Sequence, residues 1–496
     1  MPFLSNKRPG IALGTQGPYL LGRDLGFSKY TVALDKLDTH LYVVGKSGKG
    51  KSKFLEGLLW QFVQLGQGCG VIDPHGDLAN NLLKLLATIP QGPNKQPWLA
   101  DPGNAERVIY CEPGRDDYFI PMNVLTSETD KPYTVASNVI EAFQRTWSET
   151  LSAAPQFKNV TLHCLLLLIE HQLTLAELPK LLMSTDFRTP LLEQSQQEEI
   201  VDFFKQRFEQ WGREQAVRIE SLLNKVTALT LNDTLRMMLG DDENRFNLRE
   251  IMDEGKILIV NLGTCDHETR DLLGSLLTVQ LEQAAMSRLE LQEEDRRPWF
   301  CVLDEFQRFV ANEGSAQVLD QMLSEVRKMG LRLCLAHQGW HQLGNTRLEG
   351  ALDQAQIKVI FGSGSKTARV VAEELFMPDP EKIKHEVTDP QAQDRTHPQF
   401  ESLTEQKEMF IQSIHDQRRR QVLVLPPEGN QVISLRTIDV PNPKVKPEEL
   451  DEVKARLISN VGKKVPAFHS IDLNSLSMYQ PTENRIPAAS GIVAVN

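Results

Sequence analysis

The sequence predicts an α/β protein with a parallel sheet, and three features carry this prediction. Strand-like runs alternate with helix-like segments early in the chain, beginning with 41–44, 54–65 and 69–72. A glycine-rich loop joins the first of these strands to the first helix, and strand-like runs return after residue 256. Such alternation places helices on both faces of a parallel sheet.

The remaining elements are predicted in the same way. Further strands are predicted at 107–110, 257–260, 300–303, 331–335 and 358–361, and a further helix at 78–86. The runs 421–425 and 431–436 flank a segment rich in proline and glycine, which predicts a hairpin.

Composition changes along the chain predict five regions. The segment 134–245 contains only helix-period stretches, among them 139–143, 160–173 and 203–223, and predicts an all-α domain inserted into the α/β domain. The other regions are a β-rich N-terminal lead-in (1–40), the two parts of the α/β domain (41–133 and 246–440), and a linker with a C-terminal tail (441–496).

Residues 45–52 form a candidate phosphate-binding loop. Behind the strand 41–44, the chain reads Gly45, Lys46, Ser47, Gly48, Lys49, Gly50, Lys51 and Ser52. In such a loop the backbone N–H groups surround an anion, the last lysine reaches the β- and γ-phosphates, and the serine hydroxyl binds Mg²⁺. A chance match in a glycine-rich turn is the alternative. The strand before the loop and the helix after it favour a nucleotide site.

A second motif is the apolar strand 300–303 that ends in Asp304 and Glu305. Taken alone, two acids at this place are also compatible with a plain strand end. Together with the phosphate loop they predict an acidic pair in which Asp304 holds Mg²⁺ and Glu305 activates water. Because a protein that only holds nucleotide needs no activating glutamate, the pair predicts hydrolysis.

Polar residues follow two more of the predicted strands. Gln338 comes after the strand 331–335 and is predicted to sense the γ-phosphate. Asp73, His75 and Asp77 follow the strand 69–72. They are compatible either with turn and cap chemistry, with Asp77 as the helix N-cap, or with a direct role of Asp73 or His75 near the nucleotide.

Composition narrows the range of functions. The chain has 496 residues and a formal net charge of −12, which argues against coating nucleic acid over its whole surface. No apolar run approaches the roughly 20 residues that cross a bilayer, and the start lacks a secretory signal, so a cytoplasmic protein without membrane insertion is expected. Six scattered cysteines without a Cys-x-x-Cys pair predict buried free thiols.

Several segments between residues 20 and 440 occur in a characteristic order: 21–23, 40–45, the phosphate loop, 71–78, 107–110, 121–123, 255–262, 303–305, 327–331 and 336–338. In this order they resemble the HerA/FtsK superfamily of ring-forming ATPases, and most closely the TraG/TraD-type conjugative coupling proteins. The resemblance implies a RecA-like core, a hexameric ring and ATP-driven DNA pumping. It also implies that Arg327 acts in the site of the neighbouring subunit, although a cation there also suits a helix C-terminus.

The sequence therefore predicts a hexameric ATPase that uses ATP and Mg²⁺ to move DNA. The loop 264–270, with His267 and Arg270, is a candidate DNA contact, or else a plain solvated loop. Expected partners are DNA, further copies of the chain, and a nuclease, a relaxase or a secretion-channel protein. Two alternatives remain: a motor of the same superfamily for protein export or assembly, and an ATP-gated scaffold for a partner nuclease.

Overall fold

The computed structural model describes residues 9–16, 19–20, 23–24, 28–91, 95–127, 130–147, 155–212, 214–310, 323–340, 354–389, 395–427, 429 and 431–466. Its main feature is one eleven-stranded sheet. In chain order the strands are β1 (Gly10–Gln16), β2 (Ser28–Ala33), β3 (Leu41–Val44), β4 (Gly68–Asp73), β5 (Val108–Cys111), β6 (Ile257–Asn261), β7 (Trp299–Asp304), β8 (Leu331–His337), β9 (Ile357–Phe361), β10 (Gln421–Leu425) and β11 (Ile433–Arg436).

The sheet has a parallel part and an antiparallel part. Across the sheet the strands run in the order β2-β1-β11-β10-β9-β3-β8-β7-β4-β6-β5. All neighbours from β9 to β5 pair in parallel, whereas β10, β11, β1 and β2 extend the sheet by antiparallel pairing. The predicted parallel sheet and hairpin are confirmed, and strand β8 separates β3 from the acidic strand β7.

The parallel strands are buried because helices cover both faces of the sheet. Strands β3, β4, β6 and β7 are buried along their whole length. The helices are α1 (Lys51–Gln64), α2 (Asp77–Thr88), α3 (Pro102–Glu106), α4 (Pro132–Thr146), α5 (Pro155–Glu170), α6 (Leu178–Met183), α7 (Thr185–Gln194), α8 (Glu198–Asp202), α9 (Glu214–Leu231), α10 (Asp233–Leu239), α11 (Leu248–Asp253), α12 (His267–Met286), α13 (Gln307–Val310), α14 (Ser365–Leu375), α15 (Leu403–His415) and α16 (Pro447–Ser459). All six cysteines are buried free thiols, as predicted.

The described part of the region between α4 and α11 consists of helices joined by short turns, with an isolated bridge at Asn244 as its only β pairing. Glu268 of α12 ties this region to the sheet domain: its carboxylate accepts from Trp147 Nε1 at 2.9 Å and from Lys225 Nζ at 3.0 Å. The helix-period stretch 203–223 does not form one continuous helix. A π-helical turn (Phe203–Phe208) and a 3₁₀ turn (Glu209–Trp211) end at Gly212, whose φ of 51° breaks the helix.

The two ends of the described chain both join the α/β domain. Strands β1 and β2 of the lead-in belong to the main sheet. Residues 447–459, predicted as linker, form helix α16, because Leu450, Leu457 and Ile458 are buried in contact with the core. Lys463–Lys464 then pairs with Tyr118–Phe119. The rest of the predicted tail lies outside the described residues.

Three further strand pairs lie outside the main sheet: Tyr19–Leu20 with Arg23–Asp24, Pro90–Gln91 with Gln96–Pro97, and Ile383–Asp389 with Arg395–Phe400. Among the described helices, none combines the length and the apolar character that a membrane crossing requires.

Candidate nucleotide site

Strand order and register bring the predicted motifs to one edge of the sheet. Val44, the last residue of β3, lies opposite His337 of β8, and Ala336 of β8 lies opposite Asp304 of β7. The residues that follow these three parallel strands therefore meet at the carboxyl edge. They are the phosphate loop, Gln338 and Glu305.

The phosphate loop passes from β3 into α1 and packs tightly against β9. A Cβ on Gly45 would lie 2.3 Å from Cβ of Phe361, so the close approach of the two strands requires glycine. Gly50 has a φ of 111°, a conformation that side chains rarely allow. It precedes Lys51, the first residue of α1. The backbone N–H groups of the first helical turn therefore face the loop, as an anion site requires.

Lys51 and the two acids form one buried ion cluster. Lys51 Nζ lies 3.1 Å from Asp304 Oδ1 and 2.9 Å from Glu305 Oε1. All three residues are at most 6 % exposed. The cluster joins the two sequence motifs, which lie 253 residues apart in the chain.

Glu305 is held by three donors. Besides Lys51, Gln338 Nε2 donates to its Oε1 at 2.9 Å and Gln307 Nε2 donates to its Oε2 at 2.7 Å. Its φ of 49° lies in the left-handed region, which a non-glycine residue adopts only when its surroundings impose it. Such strain is concentrated at functional sites.

The two acids differ in proton affinity. Burial raises the pKa of Glu305, but the charge of Lys51 and hydrogen bonds from Gln307, Lys51 and Gln338 outweigh burial and lower it below its usual value. Burial also raises the pKa of Asp304; Lys51 opposes this rise, whereas Glu305 and Asp73 add to it. Glu305 is therefore the acid whose surroundings favour the charged form.

Ser52 and Asp304 offer a hydroxyl and a carboxylate at this edge. Oxygen ligands of this kind suit Mg²⁺, which binds proteins through few carboxylates and keeps much of its water. Ser52 is exposed at the start of α1, and Asp304 Oδ1 already accepts from Lys51 and from the backbone N–H of Glu305. The donor set fits the metal that the sequence predicts.

Asp73 caps α2, which corrects the prediction for Asp77. The Asp73 carboxylate accepts from the backbone N–H groups of His75 at 2.9 Å and Ala79 at 3.0 Å. Gly76, in a left-handed conformation, precedes the helix, and Asp77 lies exposed in its first turn. The capping carboxylate thus comes from the end of β4.

Arg327 lies at the opposite edge of the sheet. It precedes β8, whose seven residues span about 20 Å at roughly 3.3 Å per residue. Its guanidinium is half-exposed and lies 3.7 Å from Asp38. The chain does not bring Arg327 to its own phosphate loop.

The predicted loop 264–270 is shorter than expected, because helix α12 begins at His267 with Asp266 as its N-cap. The Arg270 guanidinium donates to the carbonyls of Leu262 at 3.3 Å and Cys265 at 2.8 Å. Arg270 therefore stabilises the turn before the helix.

Two parts of the site were not found from the sequence. Gln307 follows Glu305 by two residues, and no motif marks it. A segment after α15 also contacts the phosphate loop: Lys49 Nζ donates to the Gln417 carbonyl at 2.6 Å, and the Arg420 N–H donates to the Lys49 carbonyl at 2.8 Å. That contact spans 368 residues of sequence, so only the fold reveals it.

The family model described as "Helicase HerA, central domain" matches residues 19–281, more than half of the chain. The chain belongs to this family. The model described as "TraM recognition site of TraD and TraG" matches residues 298–426. Together the two matches confirm the resemblance that the sequence motifs indicated. Comparison with curated proteins gave no match.

Solved structures share the fold of this HerA-family chain. The bacterial conjugative coupling protein TrwBdeltaN70 has a TM-score of 0.51 at 17 % identity, covering 84 % of this chain and 89 % of its own. TrwB in complex with ADP and Mg²⁺ gives the same values. VirB4 of Thermoanaerobacter pseudethanolicus has a TM-score of 0.55 at 14 % identity, covering 88 % and 98 %. The predicted RecA-like α/β core is confirmed.

Proposed function

We propose that this chain is an ATPase that hydrolyses ATP in order to move DNA. The observation that carries the proposal is the buried cluster in which Lys51 contacts both Asp304 and Glu305 at the phosphate loop. A lysine that reaches phosphates and a glutamate fixed beside it are the parts that NTP hydrolysis requires. Membership of a helicase family and the fold shared with a structure that binds ADP and Mg²⁺ support the choice of nucleotide.

We assign Mg²⁺ to Ser52 and Asp304. When bound, the metal would neutralise charge on the phosphate oxygens. The protein's own residues do the rest: Lys51 binds the phosphates, Glu305 accepts a proton from water, and Gln338 holds the Glu305 carboxylate in place.

We further propose that the active form is a ring, a hexamer by the family resemblance, in which Arg327 serves the next subunit. The support is geometric: Arg327 is half-exposed and lies about one strand length from the site of its own chain, roughly 20 Å. An arginine supplied in trans is a common way to stabilise the charge of phosphoryl transfer.

Hydrolysis assayed with single-stranded DNA, with duplex DNA and without DNA tests the proposal. Native protein should hydrolyse ATP faster with DNA, and Lys51→Ala should bind ATP weakly and show no turnover. The control is Lys205→Ala, since Lys205 is an exposed lysine in the π-helical turn Phe203–Phe208.

The outcomes separate the candidate functions. ATP hydrolysis at the same rate with and without DNA would favour a motor for protein export or assembly. Binding without turnover would favour a scaffold for a partner such as a nuclease. If Arg270→Glu keeps the DNA stimulation of the native protein, the turn before α12 is not a DNA contact.

A further inference from the structure

Gln307 is a buried glutamine beside Glu305, and the oxygen of its side-chain amide has no hydrogen-bond partner among the described residues. Only 8 % of the residue is exposed. Its Nε2 donates to Glu305 Oε2 at 2.7 Å, and its Oε1 is buried without a partner among the described residues. A buried acceptor without a partner costs free energy, which an apolar side chain of similar size would avoid.

The chemistry of Glu305 fixes how the Gln307 amide is turned. A carboxylate accepts hydrogen bonds and cannot donate them, so the NH₂ group of Gln307 must face it. If the amide were rotated by 180°, Gln307 Oε1 would face the Glu305 carboxylate, and two acceptor oxygens would repel each other. The unpaired Oε1 therefore follows from the bond to Glu305.

The Glu305 carboxylate also has an acceptor position that no donor occupies among the described residues. Each carboxylate oxygen can accept about two hydrogen bonds. Among the described residues, Oε1 receives Lys51 and Gln338, whereas Oε2 receives only Gln307. One acceptor position thus remains on Oε2, the carboxylate oxygen to which Gln307 donates.

The backbone around Gln307 is firmly held. The next residue, Arg308, forms an ion pair with Asp271 of α12 at 3.1 Å. Phe309 is fully buried, and a Cβ on Gly274 of α12 would lie 2.1 Å from its ring. The short helix α13 is thereby fixed against α12, so the Gln307 side chain starts from a defined position.

We propose that Gln307 Oε1 and Glu305 Oε2 together hold the water that attacks ATP. This inference rests on the proposed ATPase function and adds a residue to it. The two oxygens accept the two hydrogens of one water, so that a lone pair on the water oxygen is left for the γ-phosphorus. Attack forms the new P–O bond, the bond to the bridging oxygen breaks with its electron pair staying on ADP, and one water proton passes to Glu305.

The contacts also explain why two neutral amides surround Glu305. A bound triphosphate competes for the positive charge of Lys51, since the same ammonium is the predicted phosphate ligand. Gln307 and Gln338 carry no charge and are not drawn away in this manner. They keep the Glu305 carboxylate oriented while Lys51 serves the phosphates.

Gln307→Met tests the proposal, because methionine keeps the volume and removes the amide. We expect kcat to fall about a hundredfold, a usual size for a lost water-positioning group, while KM stays within about twofold. ATP affinity measured at equilibrium should also stay within about twofold of the native value. Loss of turnover at unchanged affinity separates a group that acts in the chemical step from one that only binds nucleotide.

The matched control is Gln206→Met. Gln206 Nε2 also donates to a carboxylate, Asp202 Oδ1 at 2.7 Å, but on an exposed surface of the helical region. This variant should keep native kcat, KM and ATP affinity. Thermal unfolding of each variant shows whether its fold is intact.

Native kcat in folded Gln307→Met would overturn the inference and leave the ATPase function standing. Absence of hydrolysis in the native protein would instead remove the function itself. If Gln307→Met does not fold, Gln307→Asn takes its place: its shorter amide cannot reach both partners, so the same fall in kcat is expected, and native turnover in that variant contradicts the proposal.

Discussion

The two edges of the parallel sheet hold charged groups in very different ways. At the carboxyl edge, Lys51, Asp304 and Glu305 are buried and bonded to one another. At the amino edge, Arg327 is half-exposed and has Asp38 at 3.7 Å. The ion cluster at the carboxyl edge is thus assembled from residues of one chain. The amino edge presents its cation outward, as the proposed contact with another subunit requires.

Buried His40 lies at the amino edge and contacts both β8 and the segment before it. Its Nδ1 accepts from the backbone N–H of Leu333 at 3.1 Å, and its Nε2–H donates to the Leu323 carbonyl at 2.7 Å. These bonds require the neutral ring, because Nδ1 must be free of a proton. Burial accordingly lowers the pKa of His40 to about 4, aided by the charge of Arg327. A neutral histidine thus anchors the segment that carries the exposed arginine.

The largest expected effect tests whether Arg327 acts across a subunit boundary. Arg327→Ala should lower kcat by about three to five powers of ten, the usual contribution of an arginine supplied in trans. The neighbouring Lys328→Ala is the control, since Lys328 is also an exposed cation. Mixing Arg327→Ala chains with Lys51→Ala chains should restore activity. Full activity in a native monomer would contradict the comparison of the two edges.

Glu305→Gln tests the carboxyl edge alone. Turnover should fall by roughly two to four powers of ten while ATP affinity is kept, because only the proton acceptor is lost. Single-turnover hydrolysis and equilibrium binding measure the two quantities. Glu112→Gln is a matched control, as Glu112 is a buried carboxylate paired with a lysine, Lys454, at 3.0 Å. Normal turnover in Glu305→Gln would remove Glu305 as the base.

Acid should lower the free energy of unfolding, because His40 at the amino edge takes up a proton more readily in the unfolded chain than in the folded one. Since the folded pKa is lowered to about 4, the unfolded chain binds more protons between that value and the ordinary one of about 6.5. The free energy of unfolding should therefore fall by up to about 3 kcal/mol as pH drops through this window. Urea unfolding at several pH values measures it. His40→Gln should flatten the slope, and an equal slope in both proteins would show that other groups cause it.

The smallest effect concerns the helix cap beside the acidic pair. Asp73→Ala removes the acceptor for the N–H groups of His75 and Ala79 and should cost about 0.5–2 kcal/mol of unfolding free energy. Asp77→Ala, at the position that the sequence favoured, should cost at most about 1 kcal/mol, the size of a helix-dipole contact. Equal losses in the two variants would contradict the capping role of Asp73.

Local patterns were sufficient for much of the fold. The strand, loop and helix around residues 45–52 are adjacent in sequence, so their arrangement could be read directly. The apolar strands that end at Val44 and Asp304 were equally clear, because a buried parallel strand needs a continuous apolar run. Helix α16 was missed because its charged, proline-containing sequence resembles a linker until its apolar side chains meet the core.

What the sequence determined by itself is the chemistry available to the site: a glycine-rich loop, a terminal lysine and two adjacent acids. Tertiary structure decided which groups meet. Strand β8 lies between β3 and β7, and this order brings Gln338 and Glu305 together while it carries Arg327 to the far edge. Strand order depends on how the helices pack over the whole sheet, a long-range property that no local pattern encodes. For the same reason, the contacts of Gln307 with Glu305 and of Gln417 with Lys49 became visible only in the folded chain.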